Sequence, residues 1–509
     1  MSTTSVVNRH YDVVIVGGGS AGAVLANRLS QDPARHVLLL EAGPAYTAAH
    51  YPDVIANANH VGGDDAHDWG YRTQDHESLG HDVNAIRGRV LGGSSAVNAA
   101  VAMRARPSDF ERWTARGIKG WSFEEVLPIY MALECAYSGE SEWHGRNGPF
   151  PIRQTTMAEN TPSVQAFVRA AEAVGLSRVD DFNGAEQHGV APYPLNVVDG
   201  RRMNTGITYL TDGVRHRDNL TIIGGAEVDS VEIAHGRAKG VRLVGGDVVS
   251  ADEVILSAGA FGSPAILMRS GIGPAWHLEQ LGIPVVVDAP VGERLKEHPF
   301  YYNVYALKPE VKAMEPVAGA IIWTRSSEAE PDELDLHISA THIFDPAQSP
   351  TGGAIVLACA VTLPRSTGSV RLASRDPRAA PLIRYNFFDD PSDLRRMMEA
   401  VTLSRRIGRT SPLRDVVELE MYPGEDVESD VDAEQAVIEA VDGYCHPTST
   451  VPMGGDDDPA AVVDVDGAVY GVEALRVVDA SIMPDIPSVA TNVTTIMIAE
   501  AISRRLVER

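Results

Sequence analysis

Cysteine is scarce in this sequence: three in 509 residues, Cys135, Cys359 and Cys445, an odd number with no CxxC pair. A disulfide framework is therefore not expected, and a reducing cytoplasm is the expected location. Basic residues are in deficit, 43 against 69 acidic ones, for a formal net charge of −26. A field of that sign repels phosphate backbones and anionic lipid, so neither nucleic acid nor a membrane surface is expected as a partner. Long apolar runs are missing too. A bilayer span needs about 20 mostly apolar residues; the charge-free stretch Val254 to Met268 is shorter and is broken by Gly, Ser and Pro. The opening MSTTSVVNRHYD lacks the basic-then-apolar pattern of a secretion signal. Internal repeats and low-complexity segments are absent.

What is present is an ordinary globular composition, 44% hydrophobic and 22% charged. At about 150 residues per domain, the length suggests two or three folding units. The first informative stretch is Tyr11 to Ser30. Tyr11 to Val16 is rich in β-branched residues and reads as a buried parallel strand. Gly17-Gly18-Gly19-Ser20-Ala21-Gly22 follows, then a helical stretch from Ala23 to Leu29. A second apolar run, His36 to Leu40, ends at Glu41, 19 residues beyond Gly22. This is the βαβ pattern of a dinucleotide site. Gly17 permits the tight turn, Gly19 lets a pyrophosphate approach the backbone, and Gly22 lets helix and strand pack closely. The helix start, with Ser20 and Ala21, offers N–H groups to the phosphates, and Glu41 would accept from a ribose hydroxyl. The motif alone does not separate NAD from FAD.

Further along, residues 156–215 read as mixed and loop-rich, and Thr221 to Val249 as short strands. Glu253 to Ser257 reads as another buried strand. Residues 300–390 alternate strand patterns with polar loops (Tyr301 to Leu307, Leu334 to Ala340, Ala354 to Leu363, Ser369 to Leu372), which suggests a second sheet. Pro391 to Arg409 and Ala433 to Val441 look helical. Leu475 to Asp479 is a last short strand, and Asn492 to Leu506 a last helix.

Four segments then carry a family resemblance. GRVLGGSSAVN (Gly88 to Asn98) and GAFGSPAILMRSGIG (Gly259 to Gly273) are similar to the two signatures of the glucose–methanol–choline (GMC) oxidoreductases. YCHPTST (Tyr444 to Thr450) resembles the segment of the family's catalytic histidine. VVDASIMP (Val477 to Pro484), with TNVTTIMIAE (Thr491 to Glu500), resembles its C-terminal flavin segment. The resemblance spans Tyr11 to Leu506, and the WHGRNGP stretch (Trp143 to Pro149) looks most like bacterial aryl-alcohol, furan-alcohol and choline-type members. It implies bound FAD and oxidation of an alcohol to an aldehyde or ketone, with oxygen or another acceptor reoxidising the flavin. Some members attach the flavin through a histidine just before the asparagine of the first signature. Here that residue is Val97, so non-covalent FAD is expected.

The resemblance assigns roles by position. His446 is the base that takes the hydroxyl proton while hydride passes to flavin N5, a task suited to a pKa of about 6–7. Asn492 holds the substrate oxygen; it also reads as an ordinary helix N-cap. The N–H groups of Val493 and Thr494, unpaired at the helix start, face the flavin C2 carbonyl. Arg89, Gly93 and Asn98 run along the flavin, Asp479 and Ala480 contact the ribityl–pyrophosphate region, and the Val228 backbone meets the adenine. His298 and His144 read as structural, Cys445 as a packing residue, and Asp456 to Asp458 as a solvated turn without metal. Tyr444 either packs or shapes access of the electron acceptor.

The implied fold is α/β: a Rossmann-like βαβ FAD-binding domain and a second, α+β substrate-binding domain carrying an antiparallel sheet. The FAD-binding domain takes residues 1–155, 210–298 and 441–509; 156–209 form a substrate-side cap segment, and 299–440 the substrate-binding domain. Rival readings are oxidation of a sugar or glycoside hydroxyl, a non-redox lyase with a structural flavin, and a flavin-binding scaffold, against which the His446 and Asn492 pair argues. Choline would need an anionic or aromatic site for its cation. Glu310 and Glu315 suit that by location alone and read equally as solvated charges. The oligomeric state is not readable.

Overall fold

The computed structural model describes residues 9–508. The run His10–Val16 forms the expected strand, with Val13 to Val16 buried, as a parallel strand covered on both faces requires. It lies between Val248–Leu256 and Val37–Glu41, parallel to both, in a seven-stranded sheet. Leu220–Gly224 extends the parallel part beyond Val37–Glu41, and Leu475–Val477 pairs parallel with Val248–Leu256. Val228–Ala234 and Arg237–Leu243 add an antiparallel meander. Val248–Leu256 is one nine-residue strand where the sequence suggests two. Its polar stretch stays extended because Ser250 pairs with both Gly240 and His10.

Helix Ser20–Leu29 crosses over between the first two strands, and the C-terminal helix Thr491–Val507 packs along it. Arg28 clamps the buried Glu500 through Nε and Nη2 at 2.6–3.1 Å, and the Tyr209 hydroxyl donates to the same carboxylate at 2.9 Å. Burial and pairing are matched here, as a buried carboxylate requires.

A second, antiparallel sheet runs in the order Val417–Tyr422, Pro299–Leu307, Ala354–Val361, Leu336–Thr341, Ala318–Thr324, Gly189–Pro192. Along its central strands the residues alternate between two faces. Tyr301, Leu336, Ile338, Ala340 and Leu357 pack on helices Pro162–Ala173 and Pro391–Gly408. Phe300, Tyr302, His337, Ser339 and Thr341 face an interior cavity. The segment 156–215 is therefore less loop-like than its composition suggests. It holds the 12-residue helix Pro162–Ala173, capped by the Thr161 side chain, and the edge strand Gly189–Pro192. Ala-rich sequence with one apolar stripe hid that helix among polar neighbours. Among the described residues no helix is long and apolar enough to cross a membrane.

Candidate active site

A cavity of about 480 Å³ lies between the two sheets. One wall is the C-terminal ends of the parallel strands, Val16, Leu40 and Ser257 among them. That is where an open α/β sheet binds ligands, at the point where strand order reverses. The other wall is the cavity face of the antiparallel sheet.

At the nucleotide end, Gly17 adopts φ +97°, and a Cβ there would stand 2.5 Å from the Ser257 carbonyl oxygen. Gly22 does not line the cavity. A Cβ on it would lie 1.9 Å from the Gly17 oxygen, so it is the close-packing glycine of the motif. Gly19 and Gly93 face each other: a Cβ on Gly93 would come within 2.7 Å of Gly19 Cα. Two bare backbones thus bound a slot, and the helix starts at Ser20 with its first N–H groups free of intrahelical partners. A cradle this close, with donors at a helix N-terminus, fits a pyrophosphate.

Ser20, Ala21, Glu41, Asn98, Val228, Asp479 and Ala480 also line the cavity. Glu41 is buried, and its oxygens accept the Gly18 and Gly43 N–H groups at 2.8 Å each, which fixes the carboxylate against the wall. Burial pushes its pKa up, against the pull of those N–H groups. Asp479 is more occupied than expected. One oxygen accepts from Gly259 N–H and Ser263 Oγ, the other from Ser481 N–H and Oγ, so it ties its own turn to the start of helix Gly259–Arg269. Arg89 departs from the expected path along the flavin. Its guanidinium lies over Trp69 at 4.9 Å and pairs with Glu227 at 3.4 Å, outside the main cavity. Trp69 itself lines the cavity, stacked on Tyr71 at 5.7 Å, with Phe261 edge-on to Tyr71. No spacing signal marks this aromatic layer, which depends on two distant segments meeting. Val97 lines the cavity at the position where a covalent histidine would stand.

At the far end stands His446, in a loop whose backbone is fastened to residues 296–298. Tyr444 N–H donates to the His298 carbonyl, and Thr448 and Lys296 exchange N–H···O bonds. His446 N–H reaches both Glu297 oxygens at 2.8 Å, and His298 N–H donates to Oε1. Cys445, with φ +64°, turns the chain so that its carbonyl accepts from Arg87 Nη2 at 2.6 Å while the next side chain enters the cavity. Burial holds the Cys445 thiol up at about 11, so it carries no thiolate at neutral pH. Glu297 sits at about 8: burial raises it, outweighing nearby Arg87 and the two amide bonds.

His298, expected to be structural, lies against the expected base. Its Nδ1 is 3.0 Å from His446 Nδ1, with the rings nearly perpendicular at 87°. Its buried Nε2 faces the Pro487 and Thr362 carbonyls without a well-formed bond. Burial first, then His298, Arg87 and His337, hold His446 well below the ordinary histidine range, so it is neutral at pH 7.

Asn492 faces the same space. Its Oδ1 accepts the Ser20 hydroxyl at 2.7 Å, and its Nδ2 is buried with no protein partner. It is not the helix N-cap. The cap is Ala490, and Asn492 is the second helical residue. The N–H groups without intrahelical partners therefore belong to Thr491, Asn492 and Val493; that of Thr494 falls to the Ala490 carbonyl. Val493 and Thr494 do not line the cavity, whereas Thr491 and Thr495 do. Thr494 instead hydrogen-bonds Tyr130 through its hydroxyl at 2.9 Å. The helix begins one residue earlier than its sequence suggests because Ser488 is anchored to Asp109 through both N–H and hydroxyl, which sets where the loop ends.

Tyr444 stacks face to face on Phe300 at 3.9 Å. Its hydroxyl meets Ser339 at 2.9 Å, and Ser339 accepts from Tyr193 at 2.6 Å. His144 is a buried network residue, bonded to Asp181 at 2.6 Å and beside Glu134 and Arg104. Glu310 and Glu315 are exposed and away from the cavity.

Comparison with known proteins agrees with this geometry. Family models described as GMC oxidoreductase match residues 11–300 and 364–499. The oxygen-dependent choline dehydrogenase of Rhizobium rhizogenes is 34% identical over 96% of this chain and 94% of its own length. The crystal structure of pyridoxine 4-oxidase from Mesorbium loti superposes with a TM-score of 0.90 at 34% identity, covering 98% of this chain and 99% of that one. A fungal aryl-alcohol oxidase, at 22% identity and a TM-score of 0.81 over 98% and 99% of the two chains, shares the fold.

Proposed function

The chain belongs to the GMC oxidoreductase family of FAD-dependent enzymes acting on CH–OH groups, and on that premise we propose that His446 and Asn492 act together on the hydroxyl of a small alcohol. The contact between His298 and His446 carries this reading. With its Nε2 toward two carbonyls, His298 holds its proton there and presents a lone pair at Nδ1. His446 then donates from Nδ1 and keeps its Nε2 lone pair for the cavity. That is the tautomer a general base needs.

Asn492 supports the same step. With Oδ1 taken by Ser20, its Nδ2 is left to donate to the substrate oxygen and to steady the negative charge that grows as the proton leaves. FAD, when bound, supplies the acceptor for the hydride leaving the carbinol carbon. Gly17, Gly19, Ser20 and Ala21 would hold its pyrophosphate; Glu41 and Val228 would meet its adenosine; Gly93, Asn98, Asp479 and Ala480 would lie toward the flavin. Val97 supports non-covalent binding, because valine has no nucleophile to attach it. In this reading residues 1–155, 210–298 and 441–509 form the cofactor part and 299–440 the substrate part. Gly189–Pro192, from segment 156–209, completes the sheet of the latter.

A primary alcohol is the substrate class these relatives suggest, since their names point to choline and pyridoxine. Oxygen or another acceptor completes turnover. Three free cysteines support a reducing cytoplasm as the location. The test is anaerobic titration of the flavin-loaded enzyme with alcohols and sugars. Loss of the oxidised-flavin bands, abolished by His446→Ala with flavin content unchanged, is the expected result. A flavin that no alcohol or sugar reduces would overturn the reading.

A further inference from the structure

One wall of the cavity holds buried polar groups that the chemistry above does not use. His337 is 2% exposed, lines the cavity, and has neither ring nitrogen hydrogen-bonded to protein. Its ring stands edge-on to Trp323 at 5.2 Å and to Tyr444 at 6.3 Å. Leaving a buried polar group unpaired is destabilising, and such groups in folded proteins call for a specific explanation. A bound ligand supplies one here: neutral imidazole offers one donor and one acceptor.

Ser339 is the next cavity-facing residue on the same strand. Its hydroxyl lies in a relay with those of Tyr193 and Tyr444, at 2.6 and 2.9 Å. The Tyr193 and Tyr444 hydroxyls also face each other, so the three form one buried polar cluster beside His337. Beside the relay, the stacked rings of Phe300 and Tyr444 form a flat apolar plate.

One carboxylate stands on this wall, Asp442, opposite Phe300 on the neighbouring strand. The cavity's acidic side chains are committed elsewhere: Glu41 to the loop amides, Glu227 to Arg89, Asp442 to the Tyr302 hydroxyl, Asp479 to Ser263 and Ser481. A quaternary ammonium group forms no hydrogen bonds, so it would be held by ring faces alone and would leave the His337 imidazole unpaired.

We propose that His337 and the Tyr193–Ser339–Tyr444 relay form the second recognition point of the substrate, a hydroxymethyl-bearing flat ring with a further hydrogen-bonding group, a ring nitrogen or ring hydroxyl. This rests on the alcohol-oxidation reading above. The hydroxymethyl end lies at His446 and Asn492, the ring against the Phe300–Tyr444 plate, and the second polar group at His337 and the relay. A site built to hydrogen-bond a polar group rejects analogues that lack it far more strongly than an apolar pocket rejects a missing methylene.

The experiment compares anaerobic flavin reduction of the holoenzyme by benzyl alcohol, 3-hydroxybenzyl alcohol, 3-pyridylmethanol and choline. The two ring alcohols with a second polar group are expected to exceed benzyl alcohol and choline by at least about tenfold in rate constant over Kd. In His337→Leu that preference over benzyl alcohol collapses, and His337→Gln restores part of it. Tyr444→Phe, which removes one relay hydroxyl, lowers it in the same direction. Binding gives a readout independent of turnover: 3-methylphenol, which carries no oxidisable alcohol, perturbs the flavin absorption and binds more weakly to His337→Leu, whereas toluene does not. Equal loss for benzyl alcohol and the polar alcohols in His337→Leu overturns the proposal. So does reduction only by choline, a sugar or an aliphatic alcohol, and either result leaves alcohol oxidation standing. A flavin reduced by no alcohol at all sinks the function reading instead.

Discussion

Ser20 and Asn492, 472 positions apart, share a 2.7 Å hydrogen bond from hydroxyl to amide oxygen. The bond joins the start of the nucleotide-binding helix to the start of the C-terminal helix. It also orients a side-chain amide, because an oxygen engaged by Ser20 leaves the nitrogen as the free polar group at the cavity. The first residue of one helix thus sets the direction of the donor proposed for the substrate oxygen.

That link predicts a thermodynamic coupling. Asn492→Ala is expected to slow flavin reduction by about 100-fold, the effect of losing one donor to a developing oxyanion. Ser20→Ala costs less, and adding it to Asn492→Ala costs almost nothing, for a coupling of about 1 kcal/mol. Rapid-reaction measurement of the four proteins at full flavin occupancy checks this. Strictly additive effects would mean that Ser20 acts through the flavin alone.

The paired histidines predict both a rate loss and a pH profile. His446→Ala lowers the flavin-reduction rate by about a hundred- to ten-thousand-fold. His298→Leu slows reduction with little change in KM, and His298→Asn, which can place an acceptor oxygen near His446 Nδ1, recovers part of the loss. Because burial, with His298 and Arg87, holds His446 below its ordinary value, wild-type kcat/KM stays level as pH falls from 8 through 6.5 and drops only below that. An acid limb centred above 6.5 would contradict the neutral, desolvated base.

Glu297 predicts how stability changes with pH. Its carboxyl sits near 8 in the folded protein because of burial, against about 4.3 when unfolded. The raised value means the folded state holds an extra proton between those limits. Its contribution is complete below the unfolded value and is lost as pH rises towards 8. Glu297→Gln mimics the protonated form and removes this dependence. Relative to wild type, its Tm should therefore climb steadily between pH 5 and 8, by the equivalent of about 1.4 kcal/mol per pH unit at most. A Tm difference that is flat with pH would show Glu297 to be ionised throughout.

Two glycines of one motif should fail differently. Gly22→Ala puts a Cβ 1.9 Å from the Gly17 oxygen, backbone against backbone, so the variant loses thermal stability with or without flavin. Gly19→Ala meets nothing nearer than Gly93 Cα at 3.7 Å. That variant should fold normally and lose FAD affinity by at least about tenfold, because its methyl occupies the pyrophosphate approach. Melting curves and the ratio of flavin to protein absorbance separate the two. A Gly19→Ala protein that keeps its flavin would remove the pyrophosphate from that slot.

The first βαβ unit and the second sheet were legible in the sequence, and so was the choice of His446 and Asn492, both of which line the cavity, because each is written locally: β-branched runs, a glycine pattern at fixed spacing, and motifs of ten or so residues. What the tertiary structure decided lies between segments. Nothing near His298 in the chain says that its ring meets His446, 148 positions away. The register of Leu336–Thr341 alone turns His337 and Ser339 inward and Ile338 towards the helices; a slip of one residue would exchange the two sets. Arg89 lies outside the main cavity because Trp69 and Glu227, brought in from other segments, give its guanidinium a ring face and a counter-charge. Local chemistry writes which residues can act. Their partners are chosen by packing, since a desolvated polar group is stable only where the fold brings another one to meet it.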